Sequence, residues 1–119
     1  MNVSEPRMVE LRKQDGAVDE HRLDVRRLPN GALVIRVFEP GKRAGIGLPG
    51  ITSLAAMAGA IAKSTELRIL TRTGFYSFRR SQEWVQIGHF SREDAQLHAW
   101  KASTAELLAA LKAFGSKAA

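Results

Sequence analysis

The sequence predicts an α+β fold: a mainly antiparallel sheet of five or six strands, a β-hairpin first, with one short central helix and a long C-terminal amphipathic helix. Three observations predict it. Stretches of period-two alternation fill much of the chain up to residue 90, turn signals separate them, and helical spacing of apolar residues occurs twice, over 51–64 and beyond residue 91. With 119 residues, 45% apolar and 25% charged, the chain suits one domain over 1–119, with frayed tails at 1–7 and 116–119.

Each element has its own warrant. "MVELRK" sets Val9 and Leu11 on one face of a short strand, which the Asp15-Gly16 turn signal ends. In "HRLDVRRL", Leu23 and Val25 alternate with Arg22, Asp24 and Arg26, the pattern of a half-buried strand. "PNG" at 29–31 supplies a turn through Asn30-Gly31 into "ALVIRVFEP", so these two strands form the first hairpin. Neither face of the second strand is purely polar, which places it centrally. "GKRAGIGLPG" reads as a loop, and "ITSLAAMAGAIAKS" as a helix with Leu54, Met57, Ala58 and Ile61 on its apolar side. "LRILTRTGFYSFRR" (67–80) and "EWVQIGHF" give three consecutive antiparallel strands. Ser91 then reads as an N-cap for a helix with the stripe Leu97, Trp100, Thr104, Leu107, Leu111 and Phe114, and Gly115 suits its C′ position. No internal repeat is evident.

Several classes of chemistry are disfavoured. The chain has no cysteine, which removes disulfides, thiolate catalysis and cysteine-held metals. "MNVSEPRMVELRK" has no apolar signal core, and no run approaches the roughly 18 apolar residues of a spanning helix, so the expectation is a soluble, cytoplasmic protein with no membrane partner. His21, His89 and His98 form no i, i+4 pair, so no metal site is expected, and His89 and His98 read as surface or boundary residues. No G-x-S-x-G element is present. The pairs Asp19-Glu20 and Glu93-Asp94 are explained by a turn and a helix start, so the chain is not expected to be an enzyme or to use a cofactor. "GIGLPG" at 45–50 matches G-x-G-x-x-G in form, but no acid near the end of "LRILTR" would hold a ribose.

Charge points to a partner. The net charge is +6, and between residues 41 and 82 seven bases face the single acid Glu66, while the remainder is balanced with 11 bases and 11 acids. An excess gathered in one segment is the form an electrostatic footprint takes. With a two-residue turn at Thr73-Gly74, the hairpin puts Arg68, Leu70, Arg72, Phe75, Ser77 and Arg79 on one face. Leu67, Ile69, Thr71, Tyr76, Phe78 and Arg80 take the other. Arginines around an aromatic ring neutralise phosphates and offer a platform for a base. The candidate nucleic-acid-binding residues are therefore Lys42, Arg43, Arg68, Arg72, Phe75, Arg79 and Arg80, for single-stranded or deformed DNA or RNA. Lys42 and Arg43, beside a glycine-rich loop and a helix start, would extend the phosphate track.

Three resemblances bear on this. "GIG" at 45–47 resembles the turn of the helix-hairpin-helix motif, which needs a preceding helix where "ALVIRVF" is a strand. "TGFYSF" is similar to the RNP1 strand of the RNA-recognition motif at Gly74 and Phe75, and departs from it at Thr73, Tyr76 and Ser77. A sheet with a long C-terminal helix resembles, in architecture alone, the small single-strand binders of the Whirly and transcriptional-coactivator type, which implies binding of single-stranded nucleic acid. The alternative partner is an acidic protein docked on the same basic face, as for an interaction module or inhibitor. A homo-oligomer through the C-terminal helix stripe is the third expectation.

Overall fold

Period-two alternation becomes strand throughout the chain, including where helix is expected. The computed structural model describes residues 7–38, 49–93 and 95–115, and their side chains except at 18 and 19. The elements are β1 (Arg7–Arg12), β2 (Val18–Arg27), β3 (Ala32–Phe38), β4 (Gly50–Ser53), α1 (Leu54–Lys63), β5 (Leu67–Leu70), β6 (Gly74–Ser81), β7 (Trp84–Ser91), β8 (Gln96–Ser103) and α2 (Thr104–Gly115). Eight antiparallel strands in the order β4-β3-β2-β1-β8-β7-β6-β5 curl until β4 and β5 lie side by side, a nearly closed barrel. The expected α+β sheet of five or six strands with a long C-terminal helix is thus corrected to an eight-stranded barrel-like sheet with two short helices.

The correction turns on residues 91–103. Ser91 does not cap a helix: its Oγ accepts from the Glu93 N–H, and the Ala95 N–H closes back on the Ser91 carbonyl with Ala95 at φ 54, a tight reversal into β8. A side-chain bond to the second following N–H is the first step of a hairpin loop as well as of a helical turn. In β8, Trp100 and Ala102 are buried while Leu97 is 67% exposed, so Leu97 and Trp100 lie on opposite faces. The strand period separates what the helical stripe would have joined. The rest of the stripe is real: Leu107, Leu111 and Phe114 of α2 are buried in the chain's own core. With a 12-residue α2, the long helix behind the Whirly-type resemblance is absent.

The chain is also built twice. β1–β4 form a meander that runs straight into α1, and β5–β8 form one that runs straight into α2, and exchanging the halves leaves the strand order around the ring unchanged. Ser53 accepts from the Ala56 N–H at the start of α1, as Ser103 accepts from the Glu106 N–H at the start of α2. Met57 and Ile61 are buried as Leu107 and Leu111 are, at matching offsets from those caps. The last strand pairs before the helices, Ala32↔Ser53 and Trp84↔Ser103, correspond, and so do the pairs that follow. The sequence carries no repeat in residue identity, as expected, and the repeat lies in pattern and register.

The two meanders meet at weak joints. β1 and β8 share one register pair, Arg12↔Lys101, and β4 and β5 have no ladder. The helices strengthen these joints from within, α1 packing against β4, β5 and β6, and α2 against β1 and β8. α2 is tied further by its first-turn acid, since Glu106 Oε1 accepts from the Glu10 N–H at 3.1 Å, and by Arg27, which donates to the Phe114 carbonyl at 3.0 Å. Inside lie Val9, Leu11, Leu23, Val25, Leu33, Ile35, Val37, Phe78, Val85 and Ile87. Each fully buried side chain of this kind is worth about 1.5–3 kcal/mol. His89 is buried as well, at 2% exposure, because it shares the inward face of β7 with Val85 and Ile87, which corrects its reading as a surface residue. Among the described residues, no helix is long and apolar enough to cross a membrane.

Tyr76, the only tyrosine, joins the halves. Its hydroxyl accepts from the Val37 N–H at 3.4 Å, where β3 runs on past the last residue of β4 that pairs with it. Tyr76→Phe leaves that buried N–H unpaired, and a loss of about 1–3 kcal/mol in chemical denaturation is expected. Burial raises the Tyr76 pKa above its ordinary 10.0, against the smaller opposing effects of the Val37 hydrogen bond and the Arg36 charge. The unfolded chain therefore loses the phenolic proton first as pH rises, so this stabilisation is intact below about pH 10 and is lost as pH climbs through the raised folded-state value. Phenolate absorbance should appear together with unfolding in the wild type. A separate, earlier titration would contradict the buried placement.

A candidate nucleic-acid interface on the outer face of the second meander

The outer side of β5–β8 carries side chains in register rows. The hairpin turns at Arg72-Thr73, with the Thr71 N–H donating to the Gly74 carbonyl, so Leu70 faces Phe75 and not Ser77. The expected turn at Thr73-Gly74 is displaced by one position, which shifts the pairing by two residues and leaves both faces as the alternation assigns them. Arg68, Leu70, Phe75, Ser77 and Arg79 point out, and Leu67, Ile69, Tyr76, Phe78 and Arg80 lie on the inward side.

The first row is apolar. Leu70↔Phe75, Phe75↔Phe90 and Phe90↔Leu97 are successive pairs, so four such side chains cross four strands on the outside of the barrel. Leu70 and Leu97 are 75% and 67% exposed, and the Phe75 and Phe90 rings stack at 5.6 Å between centroids. The Arg68 guanidinium lies 4.3 Å from the Phe75 centroid, a cation–π contact, and only 3.9 Å separates it from Glu66. The next row is a floor of small side chains, Ser77, Gly88 and Ala99. The third is polar and basic: Arg79↔Gln86↔Lys101, continuing across the joint to Arg12. Arg79 is exposed, with no acid among the described residues in contact. Lys101 sits 4.5 Å over the Trp84 ring, and Arg12 is engaged by Glu10 at 3.1 Å and by the Gly16 carbonyl.

Of the residues expected from sequence, the structure brings Arg68, Phe75 and Arg79 onto this face and sets Arg72 at its rim, on the hairpin corner. Arg80 is on the opposite parity, donating from Nε to the Gln82 carbonyl, and leaves the set. Lys42 and Arg43 lie outside the described residues. Phe90, Trp84, Lys101 and the rim residue Arg92, whose guanidinium donates to the Thr73 and Arg72 carbonyls, are additions. The alternation of "EWVQIGHF" carried the signal for Trp84 and Phe90. Lys101 was hidden by the helical reading of its segment.

The outer face of the first meander is different in charge. There Arg26 holds Asp24 at 3.1 Å and Arg12 holds Glu10, whereas no acid occupies an outward position on β5–β8. Among the described residues no group of His, Asp and Glu is arranged to hold a metal ion. Comparison with protein-family models, with curated proteins and with solved structures finds no match to this chain.

Proposed function

We propose that the outer face of β5–β8 binds single-stranded nucleic acid, with the strand running across the β-strands. The observation that carries the reading is the pair of parallel rows: aromatic side chains at Phe75 and Phe90, cations at Arg79 and Lys101, and small residues between. The rows are four residues apart along β7, roughly 13 Å, which suits a backbone on the cations with its bases laid over the floor towards the rings. Neighbouring strands are roughly 4.8 Å apart, so Arg79 and Lys101 leave the sheet two strands, roughly 9.6 Å, apart, and their long side chains can each reach a phosphate of one strand crossing the sheet. Arg68 on Phe75 offers a second flat surface for stacking. Binding of this kind follows shape and charge and needs no chemistry from the protein.

Fluorescence anisotropy with labelled oligonucleotides of about eight nucleotides at low salt tests the reading. Phe75→Ala should weaken binding by about 1–3 kcal/mol, the value of one stacked base, with little change in fold. Absence of oligonucleotide binding by the wild type would end the proposal. The exposed Leu70 and Leu97 favour a second reading, an acidic protein partner on the same face, because aliphatic side chains at the ends of an aromatic row suit a protein surface better than a base. Under that reading, changes at Leu70 and Leu97 weaken binding to an acidic peptide, and oligonucleotides do not compete.

A further inference from the structure

The first meander has a hollow where the second has its floor. Counting from the strand pairs next to each helix, Asp24, Arg26, Arg36 and Phe38 occupy the positions of Ser77, Arg79, Gly88 and Phe90. Around them opens a cavity of about 260 Å³ lined by Asp24, Arg26, Val34, Arg36, Phe38 and Pro49. That is below the usual range for drug-sized ligands and suits a single ring system.

Its chemistry is specific. Asp24 is only 3% exposed, and its two oxygens are treated unequally. Oδ2 accepts from both Nε and Nη2 of Arg26 at 3.1 Å, whereas Oδ1 receives one long contact of 3.4 Å. A buried carboxylate oxygen with lone pairs to spare is costly unless a donor reaches it. Phe38 and Pro49 supply apolar walls, and the Arg36 guanidinium lies 5.4 Å from the Phe38 centroid. The two arginines disfavour a cationic guest. A flat, neutral ring with an N–H edge satisfies all of these features.

We propose that this cavity takes one nucleobase through an exocyclic amino group, which cytosine, adenine and guanine carry and thymine lacks, with Asp24 Oδ1 accepting from that amino N–H. The inference rests on the single-strand reading of the β5–β8 face for its ligand class, and it gives a binder that otherwise tracks phosphates a base preference. It also uses the second, register-equivalent position of the repeat.

The test compares oligo(dC) with oligo(dT), each of about eight nucleotides, on the intact chain. Wild type should bind oligo(dC) about five-fold more tightly, at the low end of the discrimination carried by one base contact. Asp24→Asn should bring the two within a factor of about two and leave oligo(dT) unchanged. Because Asp24 is also half of an ion pair, Val34→Phe provides a variant that fills the cavity and keeps that pair. In NMR spectra, cytidine 5′-monophosphate should shift the backbone amides of Val34, Arg36 and Phe38 in the wild type and not in V34F. Equal affinity for both oligonucleotides, with those amides unmoved, overturns the cavity and leaves the β5–β8 track standing. Shifts at those amides without oligonucleotide binding support the cavity and remove the track.

Discussion

Alanine at position 74 should cost about 3 kcal/mol or more, the upper part of the range for overpacking, and lower the melting temperature by about 10 °C. A Cβ on Gly74 would sit 1.8 Å from the Phe90 carbonyl oxygen, 2.7 Å from its carbon and 3.0 Å from Ser91 Cα, all backbone of the neighbouring strand. No side-chain rotation relieves such a contact. β6 and β7 would have to part at this end, which breaks the Gly74↔Ser91 pairing and strains the 2.8 Å bond from the Arg92 N–H to the Thr73 carbonyl. Phe75 and Phe90 are the next pair along, so their stack should loosen too. Thermal denaturation and the oligonucleotide titration should therefore change together in G74A. A variant with wild-type melting would show that the two strands approach less closely than described.

The double substitution Arg79→Gln, Lys101→Gln has the largest expected effect on binding. Each residue is assigned one phosphate, and for single strands the salt slope falls by about 0.7 for each phosphate that is no longer neutralised. Two phosphates amount to about 1.4 decades, a weakening of about 25-fold at about 0.1 M salt that shrinks towards nothing near 1 M. Both side chains lie on the outward parity of their strands, so thermal stability should hold within about 0.5 kcal/mol. The single change Arg80→Gln is the internal control, because Arg80 is on the inward parity and its removal should leave the slope alone. Equal weakening in both variants would place the interface elsewhere.

Particular residues show why some of this was legible beforehand. The faces of β5 and β6 follow from alternation alone, and they survive a displaced turn because a shift of two residues conserves parity. Asn30-Gly31 announced its hairpin correctly: Gly31 has φ 89 and its N–H donates to the Leu28 carbonyl. The helix at 54–63 was readable from Met57 and Ile61. β8 was not, since Leu, Ala and Lys in "QLHAWKAS" favour helix locally, and only the pairing of Trp100 with Ile87 and Ala102 with Val85 across the strands overrides that preference. β4 was hidden at the start of the segment that reads as helix from residue 51, because four residues carry too little pattern. Half of the candidate site was concealed for a related reason. Rows such as Phe75–Phe90 and Arg79–Lys101 are made by strand register, which joins residues far apart in the chain.

The doubled meander has an evolutionary consequence. Two separate copies of a four-strand-and-helix unit, assembled head to tail, would carry every substitution on both outer faces at once, so a base installed to attract a ligand on one would appear on the other. Covalent fusion lifts that obligation. Arg22 and Phe75, or Met8 and Arg68, could then diverge at equivalent positions while Val25 and Phe78, or Met57 and Leu107, went on filling one shared interior. Specialisation of one half would thus need no change in the architecture that both halves supply.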